Sequence, residues 1–347
     1  MHVGRRLIKN YMKHLKTNSN LITVYAAAVI LLLASAMLGI LLGATDLRLT
    51  ALIRIFLQRD VDTPEGMILW FVRLPRVLGS IVCGAALAVS GAVIQSVLAN
   101  RLASPSIIGV NAGAGLAVTL CAVMGIAGGW HMSLFAFLGA FAAVMTVSLG
   151  ARKWGASRGT VILIGVAVNS LLGAVSDAVV ALAPEVSILR SDFRIGDFSS
   201  VTYPKLVPAT VVILTAIFLL QNLCNELDVL TLGDDSAKGL GMNTGRMRTL
   251  LLLLAAALSG AAVSIAGLLS FVGLLVPHAV RRIATGEARH FLPLCALFGA
   301  GFVTLCDTLS RCLFAPYELP VGIIMSFLGA PFFLFVLIKG KGGYRRA

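Results

Sequence analysis

Residues 102–151 read LASPSIIGVNAGAGLAVTLCAVMGIAGGWHMSLFAFLGAFAAVMTVSLGA, fifty consecutive positions without Asp, Glu, Lys or Arg. A soluble domain carries roughly 25% charged residues, so a run of this length has no place on a soluble surface. One crossing of a bilayer takes roughly 20 apolar residues. The run therefore holds two membrane helices, with Gly128-Gly129-Trp130-His131 as a tight turn between them.

The rest of the chain agrees with that reading. Of 347 residues, 58% are hydrophobic and only 12% charged, with a mean hydropathy of +0.95. The 35 glycines suit helices that pack closely in lipid. Leu21–Ala44 is uncharged and follows Arg5, Arg6, Lys9, Lys13 and Lys16. It runs through the cleavage-like Ala34-Ser35-Ala36 and exceeds a signal-peptide core, which predicts an uncleaved first span. Further spans are expected at Val77–Asn100, Gly159–Ala183, Leu206–Asn225, Phe291–Leu313 and Leu319–Ile338. The stretch from Thr249 to Gly286 fits two, with a turn near Ala266–Ser270. The fold class is thus an all-α membrane protein of about ten transmembrane helices.

Charge sets the orientation. With the N-terminus inside, the inner segments hold 19 Lys and Arg against 9 outside, and the net charges are +14 and +1, with Asp177 and Asp307 inside the spans making up the difference from the overall +13. The positive-inside rule then places both termini in the cytoplasm. It also accounts for the overall +13 without nucleic acid. The chain reads as one transmembrane domain, 1–347, with a basic cytoplasmic N-terminus at 1–20 and a cytoplasmic loop at 226–246.

Catalytic signatures are lacking. No G-x-x-x-x-G-K-[ST] occurs; Gly109–Gly115 (GVNAGAG) has no Lys-Ser/Thr and opens a span. The chain is therefore not expected to hydrolyse ATP itself. No H-E-x-x-H, no C-x-x-C and no His/Cys cluster is found, so neither a metal nor a cofactor is expected. Three polar groups fall at membrane depth: Asp177, Asp307 and His278. Such carboxylates are costly in lipid and are functional candidates by default. They could relay protons in an ion-coupled secondary transporter, or bond neighbouring helices. Asp307 stands four residues before Arg311, so an ion pair along one helix face is available. His278 follows Pro277 and reads as a structural residue.

Four ordered segments carry a more specific pattern. They are Arg73-Leu74-Pro75-Arg76 leading to Gly84–Gly91 (GAALAVSG) and Gln95; Asn100-Arg101-Leu102-Ala103-Ser104-Pro105 with Gly109; Ser270–His278 (SFVGLLVPH) with Arg281; and Asp307…Arg311…Pro316–Gly322 (PYELPVG), closing with Gly329-Ala330-Pro331-Phe332-Phe333. This set resembles the FecCD-like permease subunits of type II, binding-protein-dependent ABC importers for ferric siderophores, haem and vitamin B12. The resemblance covers about Arg73 to Ile338.

The resemblance implies a homodimer in the bacterial cytoplasmic (inner) membrane with the path at its interface. It also implies two cytoplasmic ATPase subunits and an extracytoplasmic substrate-binding protein. By position, Arg73, Arg76 and Arg311 are expected to dock that binding protein; an arginine's fork of donors suits carboxylates. The 226–246 loop is expected to couple to the ATPase through Leu232, Gly233, Asp234, Asp235, Ala237, Leu240, Gly241 and Met242. There Asp234 would cap a short helix and Gly239 or Gly241 would end it. Leu240 and Met242 would give apolar contact, and Asp234, Asp235 and Lys238 would set register. Ferric siderophore is the expected cargo, with haem, cobalamin and molybdate as alternatives.

The chain departs from the family pattern in two places. Arg101 stands where the family has Pro, and Arg190–Asp197 is a more charged external loop than the pattern has. Ala86–Val93 (ALAVSGAV) also resembles Ala255–Ala262 (AAALSGAA) on spans of opposite direction, as inverted repeats do.

Overall fold

The computed structural model describes residues 2–43, 55, 61–126, 128–153, 158–284 and 287–340; side chains before 21 and after 334, with those of 152 and 153, lie outside that set, as does the basic cluster at 1–20. Every regular element among the described residues is helical. In chain order the main helices are α1 (His2–Leu41), α2 (Pro64–Met67), α3 (Leu74–Val97), α4 (Val110–Val123), α5 (Gly129–Lys153), α6 (Arg158–Leu182) and α7 (Ser187–Ile195). They continue with α8 (Tyr203–Asn222), α9 (Cys224–Thr231), α10 (Asp234–Gly239), α11 (Thr244–Ala266), α12 (Val272–Ile283), α13 (Ala288–Cys312) and α14 (Val321–Gly340).

Seven described segments are long and apolar enough to cross a membrane: Leu21–Leu41, Pro64–Val97, Gly129–Ala151, Arg158–Leu182, Tyr203–Asn222, Thr244–Ala266 and Ala288–Cys312. Two shorter apolar helices, Val110–Val123 and Val321–Leu334, lie between or after them. Three boundaries differ from the sequence reading. The second span begins at Pro64, because one π-helical turn, Ile68–Arg73, joins α2 to α3 without a break. The turn between α4 and α5 closes before Gly129, so Trp130 and His131 stand inside α5. The segment after Ala266 yields a helix of only 12 residues, because Gly267 (φ 71°) and Phe271 (φ 65°) hold a non-helical link between α11 and α12.

α3 is the central helix and is buried along most of its length. It packs on α13 where Gly84 and Gly299 cross. A Cβ on Gly84 would stand 2.3 Å from the Gly299 carbonyl oxygen, and one on Gly299 would stand 2.4 Å from that of Gly84. It packs antiparallel on α11. There Ser90 Oγ donates to the Ala255 carbonyl at 2.7 Å and Cys83 Sγ contacts the Ala262 carbonyl at 3.5 Å. The two similar segments of sequence therefore face one another. α6 and the Leu21–Leu41 part of α1 are peripheral and bury little of their length.

Two non-helical stretches enter the bundle. Asn169 lies eleven residues into α6, about 16 Å from its start at 1.5 Å per residue. Its amide donates to the carbonyls of Ser106 (2.6 Å) and Ile107 (3.1 Å), so residues 104–109 sit at that depth. The 267–271 link descends beside α3 until Gly273 meets Gly91 and Pro105. Between the two stretches lies a cavity of about 210 Å³ lined by Ser104, Ser106, Asn111 and Ser270 with apolar neighbours. Irregular backbone at membrane depth is tolerated where protein covers it or where it lines a watered cavity.

Candidate functional site

Two charge clusters stand at opposite ends of the bundle. At the end that charge distribution places outside, Arg76 opens α3. Its Nε donates to Asp307 Oδ1 and Oδ2 at 3.0 and 3.2 Å, and its Nη1 donates to Glu318 Oε2 at 2.7 Å. Asp197 Oδ1 lies 3.7 Å from Nη2. Arg311 pairs with Asp307 at 3.3 Å, so the expected i,i+4 pair is present and Arg76 completes a sandwich around the carboxylate. Asp307 is fully buried, and Arg76 and Arg311 are 4% and 3% exposed.

The remaining donors finish α1. The last carbonyls of a helix have no partner within it, and cations are favoured there. Arg73 Nη1 donates to the carbonyls of Ile40 (2.6 Å) and Leu41 (2.8 Å). Arg311 donates to those of Gly39 (3.0 Å) and Leu42 (3.1 Å). All three expected docking arginines thus come together, buried and bonded within their own chain. The groups that face outward beside them are Tyr317 and Phe314, with Glu318 partly so. The π-helical turn that carries Arg73 leaves the Trp70 carbonyl to the hydroxyl of Tyr203, at 2.8 Å.

The other polar candidates do not join this cluster. Asp177 is exposed on α6 and pairs with Arg190 of α7. His278 is half-buried with its ring edge-on to Phe332 at 6.2 Å. No group of three or more His, Cys, Asp or Glu residues suited to a metal occurs among the described residues. The six cysteines are all free.

At the opposite end, α9 and α10 form the loop expected to couple. Gly233 (φ 110°) is the N-cap of α10, and Asp234 is its first helical residue. The expected Asp234 cap is corrected here, because its carboxylate turns away from the α10 amides. It accepts from Arg248 Nη2 of α11 at 2.7 and 2.8 Å and from Arg158 Nη2 of α6 at 3.1 Å. Burial pushes the Asp234 carboxyl up, but the hydrogen bond and charge of Arg248 and the charge of Arg158 outweigh it and hold the group below its ordinary range.

Gly241 (φ 83°) ends α10: Met242 N–H reaches the Ala237 carbonyl at 3.0 Å, and Gly241 N–H reaches that of Lys238 at 2.9 Å. This double bond pattern needs a left-handed residue at the stop. Ala237 is buried and Met242 half-buried, whereas Leu232 and Leu240, 65% and 69% exposed, flank the helix with Asp235 and Lys238. Asp228 of α9 caps α13, both carboxylate oxygens accepting from Ala288 N–H at 3.0 Å. Burial raises the Asp228 carboxyl, the Ala288 amide opposes the rise, and Glu287 adds to it.

Sequence reading did not identify Arg158, Arg248 or Asp228 in these roles. Arg158 stands 76 residues from Asp234. The signal was an excess of basic residues on this side, which gives sidedness but not pairing.

Comparison with known proteins fits this geometry. The Fe(3+)-citrate import system permease protein YfmD of Bacillus subtilis (strain 168) is 35% identical over 94% of this chain and 97% of its own length. The hemin transport system permease protein HmuU of Yersinia pestis is 36% identical over 78% of this chain and 83% of its own. A solved inward-facing ABC transporter, assigned to the metal-chelate type, superimposes with a TM-score of 0.80 at 28% identity. That match covers 92% of this chain and 99% of the solved one. The profile of the FecCD transport family matches residues 31–339, and this chain belongs to that family.

Proposed function

We propose that the chain is the permease subunit of a binding-protein-dependent ABC importer for a metal chelate, of which ferric siderophore is the leading cargo. In this reading ten helices cross the bacterial inner membrane with both termini cytoplasmic, and two copies enclose the path. The exposed apolar side of α6, with Leu163, Val166, Leu171 and Val175, supports a second copy against that helix. Two ATPase subunits bind the α9–α10 loop inside, and an extracytoplasmic substrate-binding protein docks outside. ATP hydrolysis belongs to the partners.

The observation that carries the reading is α10. It is a six-residue helix fixed to α6 and α11 through Asp234, and Leu232 and Leu240, one on either side of it, point outward where their own chain does not cover them. Exposed apolar side chains on a rigid mount are what a partner's hydrophobic cleft requires. Outside, Arg73, Arg76 and Arg311 remain the proposed docking group. Since they are already bonded, acidic groups of the binding protein would have to share them with Asp307, Glu318 and the α1 carbonyls. The cavity between the two non-helical stretches supports a watered path. Relatives named for Fe(3+)-citrate, hemin and cobalamin support a bulky chelate as cargo.

The test is mild solubilisation of the tagged chain followed by identification of what co-purifies. An ATPase subunit is expected, together with iron-chelate uptake that ceases when the chain is deleted. Proton-driven transport by the chain alone would overturn the proposal.

A further inference from the structure

We infer that Asp234 is not an ATPase contact but the positioning residue that ties α10 to α6 and α11. On the importer reading proposed above, on which this rests, a push on α10 reaches the membrane helices through it. One carboxylate holds guanidinium groups from two helices, Arg158 on α6 and Arg248 on α11. Arg158 Nη2 also donates to the Leu230 carbonyl at the end of α9, at 2.7 Å, so the same side chain pins the loop twice. Each bond to Asp234 is charge-assisted, short and directional. Asp234 is one-third exposed, and both its oxygens are taken up by the chain's own arginines. The groups left for a partner are Leu232, Asp235, Lys238 and Leu240.

The choice of helices matters. α6 is one of the least buried spans, so little packing within the subunit resists its displacement. A further tie of α6 to a non-helical stretch, Asn169 to the carbonyls of Ser106 and Ile107, leads to the wall of the polar cavity. A shift of α6 at Arg158 is thus connected by named bonds from the α10 surface to that cavity. α11 leads by another route to the 267–271 link at its far end. Coupling of this kind requires a contiguous element with two arrangements that both sites bias.

The test uses the full complex with its ATPase subunits, Cys312→Ser to remove the exposed native thiol, and Ser106→Cys on the wall of the polar cavity as reporter. The rate at which a maleimide labels Cys at position 106 is compared with and without ATP plus vanadate. With Asp234 present, nucleotide is expected to change the rate by about fivefold or more. In Asp234→Asn the complex is expected to assemble and hydrolyse ATP, with the nucleotide effect reduced to less than about twofold. Asp234→Glu, which keeps a carboxylate for both Arg158 and Arg248, is expected to retain much of it, which sensitivity to any change at this position would not allow. An unchanged nucleotide effect in Asp234→Asn overturns the inference. So does loss of ATPase binding in that variant, since Asp234 would then be a docking residue. Failure of the unsubstituted chain to bind any ATPase would instead overturn the importer reading.

Discussion

Arg76 and Asp307, 231 residues apart, meet in the interior through one Nε–H shared between both carboxylate oxygens, with Arg311 closing the other side of the carboxylate. The arrangement balances a buried anion against two buried cations. Breaking a buried pair by removing one partner costs about 3–5 kcal/mol, because an uncompensated charge remains. Asp307→Ala is therefore expected to lower the thermal midpoint of the detergent-solubilised chain sharply, and Asp307→Asn less so, since the amide still accepts from Arg76. A proton-relay role would give the opposite pattern: normal stability in both variants and complete loss of transport in Asn. Thermal unfolding followed by circular dichroism, read beside uptake, separates the two.

The contact of α3 with the start of α12 gives a second prediction. A Cβ on Gly91 would stand 2.0 Å from the Gly273 carbonyl oxygen, and that oxygen also accepts from the buried Gln95 amide at 2.9 Å. Backbone atoms cannot move aside as a flexible side chain can. Gly91→Ala is expected to cost about 3 kcal/mol or more and to reduce the yield of monodisperse protein. Gly115→Ala, with open space around it, is expected to behave like the parent chain. Size-exclusion profiles of the two variants check this directly, and equal profiles would show that α3 and α12 do not meet so closely.

These two sites also show what the sequence could and could not disclose. Seven of the ten expected spans were legible because uncharged runs of about 20 residues admit one reading in lipid. The Asp307–Arg311 pair was legible from helical spacing alone. The Arg76 partner was not, because nothing in Arg73-Leu74-Pro75-Arg76 says which distant helix lies beside it. Nor was the use of Arg73 and Arg311 to finish α1, since orphan carbonyls leave no mark on side-chain pattern. The sequence predicts α10 as a short helix ended by Gly239 or Gly241, and Gly241 ends it, but Asp234 next to Gly233 reads as a cap. The left-handed Gly233 takes that position and frees the carboxylate for two arginines. The shortness of α12 was hidden as well. Composition alone gives no sign that Phe271 adopts a positive φ.

Acid titration gives a third prediction. Asp234 has its carboxyl held below the ordinary range by Arg248 and Arg158, with burial opposing them. The folded form therefore binds a proton less readily than the unfolded chain. Its contribution to stability is present above the unfolded carboxylate value of about 4 and disappears as pH falls through the lower folded value. The gap in thermal midpoint between the parent chain and Asp234→Asn is expected to be constant from about pH 6 to about pH 8. It is expected to close on acidification below about pH 4. A gap that widens on acidification would show that the charged carboxylate is not the stabilising form.

The last prediction concerns the outward face of α10. Leu232 and Leu240 are exposed, and little of the chain's own packing depends on them. Leu240→Asp is therefore expected to leave the thermal midpoint within about 0.5 kcal/mol equivalent of the parent, as for other surface changes. If the two leucines fill a hydrophobic cleft of an ATPase subunit, the same change buries an unpaired charge in the complex. Co-purification of the ATPase is then expected to fall by at least about tenfold, as for an interface hot spot. Asp235→Asn on the same face is expected to alter the salt dependence of association more than its strength, as rim charges do. The informative outcome is the combination: retained stability with lost association assigns the surface to a partner. Lost stability with retained association would mean that Leu240 serves the fold, and the docking surface would then have to lie elsewhere on this end of the bundle.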